Sequence, residues 1–177
     1  MGLDTHFREA TPLQSGNPAT ILIQTTVPTG HIPVKLDDRG RLKLPSLLKK
    51  LWVDKLDIAK VFVTSLDGRT IQIFTPAGWQ GQLEALQSFS EDRKAAQKVL
   101  FAAKCFGSDA EVDEAGRMLM PDALRKQMSL ADQTVWLDPI HAGRINVYPD
   151  AVYQEMKALK LAGLDGAYAM LEEKGVV

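Results

Sequence analysis

The chain has 177 residues, 45% of them hydrophobic and 24% charged, with a formal net charge of −1. That balance fits a soluble globular protein with a sizeable core, and it excludes a disordered, membrane-embedded or uniformly basic chain. One cysteine, Cys105, allows no internal disulfide, and His6, His31 and His141 show no metal-ligand spacing.

Residues 1–30 are polar and broken by Pro and Gly, without a signal-peptide pattern, and read as a flexible leader. From Ile32 the chain alternates: Ile32, Val34 and Leu36 fall on one face and Pro33 and Lys35 on the other, the period of a half-buried strand. Asp37 to Gly40 then spells a turn, since Asp bonds nearby amides and Gly takes a positive φ. In the next strand Leu42 and Leu44 share one face, Arg41 and Lys43 the opposite one. Pro45 suits the start of a short helix, "PSLLKKLW". "KVFVTSLDGRTIQIF" predicts a hairpin turning at Asp67-Gly68, and "PAGWQGQLEALQ" a helix after it. A linking helix is expected over 87–108, with Ser88 and Glu91 as a capping box and Val99, Leu100, Ala103 and Phe106 at helical spacing. In that apolar run Cys105 is expected to be buried and inert. The C-terminal stretch from 150 reads as helical, interrupted near Gly163 or Gly166.

The second half repeats the first. "KLDDRGRLKLP" (35–45) recurs as "EVDEAGRMLMP" (111–121), with Asp37 and Asp113, Gly40 and Gly116, Arg41 and Arg117, and Pro45 and Pro121 each 76 positions apart. Farther on the offset is 74: "VFVTSLDGRTIQIFTPAGW" (61–79) lies over "VWLDPIHAGRINVYPDAVY" (135–153). One fold unit used twice accounts for this, with a two-residue deletion assigned to a loop. The expected organisation is a leader (1–30), a first unit (31–86), the linking helix (87–108), a second unit (109–156) and a helical tail (157–177).

The two copies differ in charge. Residues 35–60 hold eight basic and four acidic side chains, a net of +4, whereas 111–136 hold three and five, a net of −2. Lys35, Arg39 and Lys43 of the first copy are replaced by Glu111, Ala115 and Leu119, and only Arg41 keeps its counterpart, Arg117. Lys supplies a point charge for phosphate and Arg can fork onto a guanine edge, so the first copy has the groups that read DNA. An outward Leu119 beside a neutral turn suggests a covered surface.

The paired "LDDRGRLKLP" and "VDEAGRMLMP" resemble the signature of the MraZ proteins, over roughly residues 32–156. The resemblance implies an α+β fold of two tandem AbrB-like swapped-hairpin units, short strands forming a small barrel-like sheet with packed helices. It also implies a cytoplasmic, nucleoid-associated transcriptional regulator that binds short direct repeats in a promoter as a ring-shaped homo-oligomer. Asp37 and Arg41, with Asp113 and Arg117, would brace the turns around Gly40 and Gly116. Lys35, Arg39, Arg41 and Lys43 would face double-stranded DNA, with Arg117 structural or a secondary contact. Three features depart from the family pattern: the long leader, Arg39 and Ala115 where Lys is common before the Gly, and Met118 and Met120 where branched residues are commoner.

No nucleophile, metal, P-loop or dinucleotide motif occurs, so neither an enzyme nor a cofactor or small-molecule substrate is expected. Two other readings remain: a ring-forming scaffold without DNA binding, and an AbrB-like antitoxin, which the doubled unit disfavours. Trp52, Trp79, Trp136 and Tyr148 follow apolar periodicity without interleaved Lys or Arg, and are expected in the core or an interface instead of against bases.

Overall fold

The computed structural model describes residues 27–177. The leader expected over 1–30 therefore lies outside the described residues, apart from its last four positions. Of these, Val27 packs against the core.

The first copy of the repeat forms β1 (Ile32–Lys35), β2 (Arg41–Lys43), a helix α1 (Ser46–Lys49) that passes into a π-helical segment (Lys50–Lys55), then β3 (Lys60–Thr64), β4 (Ile71–Phe74) and α2 (Pro76–Ser88). The connecting α3 spans Arg93–Phe106. The second copy forms β5 (Ser108–Glu111), β6 (Arg117–Leu119), α4 (Asp122–Gln127), β7 (Thr134–His141), β8 (Arg144–Pro149) and α5 (Asp150–Leu161), followed by α6 (Leu164–Glu173). The class is α+β. No helix among the described residues is long and apolar enough to cross a membrane.

A six-stranded antiparallel sheet runs in the order β1-β7-β8-β4-β3-β5. Exchanging each strand for its repeat counterpart reverses that order onto itself, so the sheet has an internal two-fold. The first strand of each copy pairs with the third strand of the other: Val34 stands opposite Val135, and Val61 opposite Ala110. β4 and β8 meet at the centre, Ile73 opposite Ile145. The sheet is open, since β1 and β5 end the order at opposite edges, and the expected barrel-like closure is not formed. β2 and β6 leave this sheet and pair with each other as a separate two-stranded ribbon. Lys35–Pro45 therefore makes its strand, turn and strand as expected, but the two strands find partners in the other copy.

Backbone bonds repeat the two-fold. Leu36 N donates to Gln133 O at 2.9 Å and Val112 N to Ala59 O at 2.9 Å; Leu44 N donates to Gly116 O at 2.8 Å and Met120 N to Gly40 O at 3.1 Å. The side chains beneath, Leu36, Leu42, Leu44, Met118, Met120 and Leu124 among them, are buried in one cluster that both copies build. The two-residue difference between the copies falls in a helix, not in a loop. Leu56 N reaches back to Leu51 O and Leu130 N to Arg125 O, an offset of 74, whereas the bonds before Lys49 keep an offset of 76. The first copy winds its extra residues into the π-helical segment, where α4 simply ends.

Three local expectations are corrected. The Asp67-Gly68 turn widens into a loop from Ser65 to Thr70, because Asp67 Oδ1 accepts from Arg69 N (2.8 Å) and Thr70 N (2.7 Å) while Gly68 N donates to Ser65 Oγ (2.9 Å). α2 continues through Ser88, and α3 is capped by Asp92, whose Oδ1 accepts from Ala95 N at 2.9 Å. Cys105 is exposed. On α3 the helical period buries Ala96 and Ala103 on one side, and a residue two positions past Ala103 points to the other.

Candidate nucleic-acid interface

The DxxGR turns build the site. In the first, Asp37 Oδ1 accepts from Arg39 N at 3.0 Å and Arg41 N at 2.8 Å, while Oδ2 accepts from Arg41 Nε at 2.6 Å. Gly40 sits at φ +73° and donates to Asp37 O. Asp37 N donates to Arg41 O and closes the turn. The second turn repeats the backbone: Asp113 Oδ1 accepts from Arg117 N at 2.7 Å, and Gly116 has φ +75°. It does not repeat the side-chain pair, since Arg117 makes no ion pair among the described residues. The shared motif fixes two similar turns, but only one holds its arginine.

Each glycine lies under a cation from the other copy. A Cβ on Gly40 would collide with the Arg125 stem, and one on Gly116 would come 3.1 Å from Lys49 Cγ. Arg125 also donates from Nε to Met120 O at 3.0 Å and from Nη1 to Arg39 O at 3.3 Å. Sequence reasoning missed Lys49 and Arg125 as parts of the motif. The signal was there: both are basic and 76 positions apart.

β2 and β6 then form the outward surface. Leu42 stands opposite Met118 and both are buried; Arg41 faces Leu119 and Lys43 faces Arg117 across the ribbon, all four exposed. Three of the five predicted cations, Arg41, Lys43 and Arg117, are thus brought onto one face. Arg39 stays beside it, lining an open cavity of about 520 Å³ with Asp38, Asp122, Arg125 and Lys126. Lys35 is separated from them. It sits on β1 in the main sheet, opposite Thr134, and pairs with Asp132 at 3.8 Å.

The aromatic residues lie away from this face. Trp52 is fully buried and donates from Nε1 to Ala142 O at 2.9 Å. Tyr148 is buried as well. Trp79 packs on Phe62, and Trp136 stacks on Tyr153 at 4.1 Å between centroids. Among the described residues no cluster of His, Cys, Asp and Glu could hold a metal ion.

Several carboxylates are held below their ordinary range. The Arg41 amide and guanidinium lower Asp37. Burial alone would raise Asp67, but the Thr70 and Arg69 amides outweigh it. Lys126 lowers Asp122, and the Trp136 indole lowers Asp150. A carboxyl depressed in the folded state adds stability that is complete above its unfolded value and is lost as pH falls through its folded value. Burial, with Arg144 beside it, lowers His141, so its unfolded form takes up a proton first as pH falls. Thermal melts should therefore show a mild decline in Tm below about pH 6.5 from His141, and a steeper fall below about pH 4, the ordinary carboxylate value. Asp67→Asn should make the acid fall shallower; a Tm that rises on acidification would contradict this account.

No protein-family profile matches the chain. Among curated proteins it is similar to the transcriptional regulator MraZ of Acidobacterium capsulatum, 30% identical over 106 residues, covering 60% of this chain and 72% of that protein. It is similar to the transcriptional regulator MraZ of Koribacter versatilis, 33% identical over 100 residues, covering 55% and 66%. A longer match joins it to the MraZ regulator of Caldicellulosiruptor saccharolyticus, 26% identical over 141 residues, covering 80% and 94%.

Proposed function

We propose, from the fact that this chain belongs to the MraZ family of transcriptional regulators, that it regulates by binding double-stranded DNA through the β2–β6 ribbon. The observation that carries this reading is the ribbon itself: Arg41, Lys43 and Arg117 on a solvent face, over the buried Leu42–Met118 pair. A two-stranded ribbon fits the major groove, where arginine can fork onto guanine. Arg39 at the turn adds a phosphate contact. Lys35, tied to Asp132 on the main sheet, contributes from the flank. The first copy supplies most of the charge and so most of the reading.

The two copies, 31–86 and 109–156, act as AbrB-like swapped-hairpin units that share one sheet, with 87–108 as connector and 157–177 as tail. The exchange β1 to β7 and β5 to β3 favours that description. Arg41 and Arg117 are related by the two-fold, whereas Lys43 and Leu119 break it, so the face has a direction. A directional face suits short direct repeats better than palindromes. One ribbon with about four cations binds weakly at cellular salt, with a Kd of about 10⁻⁴–10⁻⁶ M for its non-specific part. A ring of subunits engaging successive repeats would add about 10²–10⁴ in affinity without new kinds of contact. The site of action is the nucleoid of the cytoplasm.

The test is a fluorescence-anisotropy titration of the full chain against duplex DNA from upstream of its own gene, with a scrambled duplex beside it. Preference for the natural duplex is expected, with a log–log salt slope of about −0.9 for each phosphate neutralised. Four contacts per chain then predict a loss of about 100-fold between 50 and 200 mM salt. Equal, weak binding to both duplexes would replace the regulator reading with that of a ring scaffold.

A further inference from the structure

The two-fold carries Lys43 onto Leu119, so one exposed aliphatic side chain stands where symmetry would put a fourth cation. Leu119 is 47% exposed, lies opposite Arg41 in register, and shares its face with Lys43 and Arg117. We propose that Leu119 is a specificity-determining residue that packs against the C5-methyl of a thymine in the major groove. This rests on the DNA-binding reading given above and deepens it.

The surroundings select the partner. A phosphate would gain nothing from leucine, and lysine at this position would bind it better. A protein surface covering Leu119 would also have to cover Arg41, Lys43 and Arg117, which stand around it on the same face. In the major groove the apolar group on a base edge is the thymine methyl, and it lies beside the acceptors that arginine and lysine contact. Residues directly opposite in an antiparallel pair have Cα atoms about 4.5–5.5 Å apart, and DNA rises about 3.4 Å per base along each strand. The thymine read by Leu119 therefore lies one or two base pairs from the base contacted by Arg41. On the other side of the dyad Lys43 favours purine acceptors, and the difference between the two positions gives the chain its polarity on DNA.

The experiment uses the full chain, the duplex from upstream of its gene, and the same duplex with deoxyuridine for thymine, which removes the methyl and keeps the base pairing. Wild type should lose about 4-fold in affinity for each buried methyl removed. Leu119→Ala should bind the thymine duplex as weakly as wild type binds the deoxyuridine duplex, and should not distinguish the two. Leu119→Lys should be equally blind to the methyl, with a salt slope steeper by about one unit per chain. Wild type that binds both duplexes tightly and alike would overturn the inference while leaving the DNA-binding reading intact. So would a Leu119→Ala variant that still senses the methyl, or one whose oligomeric mass changes on size-exclusion chromatography. Failure of wild type to prefer the natural duplex over the scrambled one would remove both readings together.

Discussion

Trp52→Ala is expected to destabilise the protein by about 3–5 kcal/mol, the range for deleting a large buried aromatic side chain. Trp52 has no exposed surface and lies in the π-helical segment of the first copy. Its indole donates to Ala142 O, in the turn between β7 and β8 of the second copy. That turn also accepts from the start of α2, through Thr75 N to Gly143 O at 3.0 Å, and Gly78 lies so close to Gly143 that a Cβ there would overlap its carbonyl. Trp52 therefore fills the core and pins the point where the two copies abut. Alanine would leave a cavity and an orphaned carbonyl. Trp52→Phe would keep most of the packing and lose the bond, so it should cost less, about 1–3 kcal/mol. For a chain of this size each kcal/mol moves Tm by about 2–4 °C. Thermal melts should show a drop of about 10 °C for alanine, and a smaller one for phenylalanine. An alanine variant melting within about 2 °C of wild type would mean that the indole is not the tie between the copies.

The sequence made the turns legible and the partners illegible. Asp37, Gly40 and Arg41 interact within four residues of each other, so their motif specifies its structure locally. The alternation of Leu42 and Leu44 with Arg41 and Lys43 gave their faces correctly. A period of two says which side of a strand is buried, however, and not which strand lies beside it. Pairing of β2 with β6, and of β1 with β7, depends on contacts across 74 to 105 positions. The repeat was the only sequence-level hint of them, because a unit that occurs twice can exchange equivalent strands. Cys105 departs from its expected burial for a related reason. Its neighbours are apolar, but burial on a helix follows phase, and Cys105 is out of phase with Ala96 and Ala103.

The same exchange explains how a chain of net charge −1 presents a basic face. Within the first copy alone, the cations of residues 35–60 spread over β1, the turn after it, β2, α1, the π-helical segment and β3. Crossing the copies sorts them: Lys49 is folded over Gly116, Lys35 is set against Asp132, and Arg41 and Lys43 are joined by Arg117. Acidic residues of the second copy are partly spent on its own cations, since Asp122 pairs with Lys126 at 2.6 Å and with Arg125 at 3.1 Å. Local pairing, not net charge, decides what the ribbon shows to a partner.

Arg41→Ala is expected to abolish preference for the natural duplex, with a loss of about 10- to 100-fold for each ribbon engaged. Arg117→Ala should cost distinctly less, although the two arginines are related by the dyad and both are exposed. The difference lies in Asp37. Its Oδ2 holds Arg41 Nε at 2.6 Å, and the two terminal nitrogens of the guanidinium have no partner among the described residues, which leaves them placed to fork onto a base. Asp113 bonds the Arg117 amide but not its guanidinium, so Arg117 has to order its side chain on binding. Asp37→Asn separates this from charge alone. It leaves Arg41 in place and makes the face more positive, yet it removes the ionic hold on the side chain. Anisotropy titrations should rank the losses Arg41→Ala, then Asp37→Asn, then Arg117→Ala, with each variant first shown by thermal melting to be folded. If Asp37→Asn bound as well as or better than wild type, charge rather than orientation would govern the contact. Equal losses for the two arginines would mean that both copies read DNA alike.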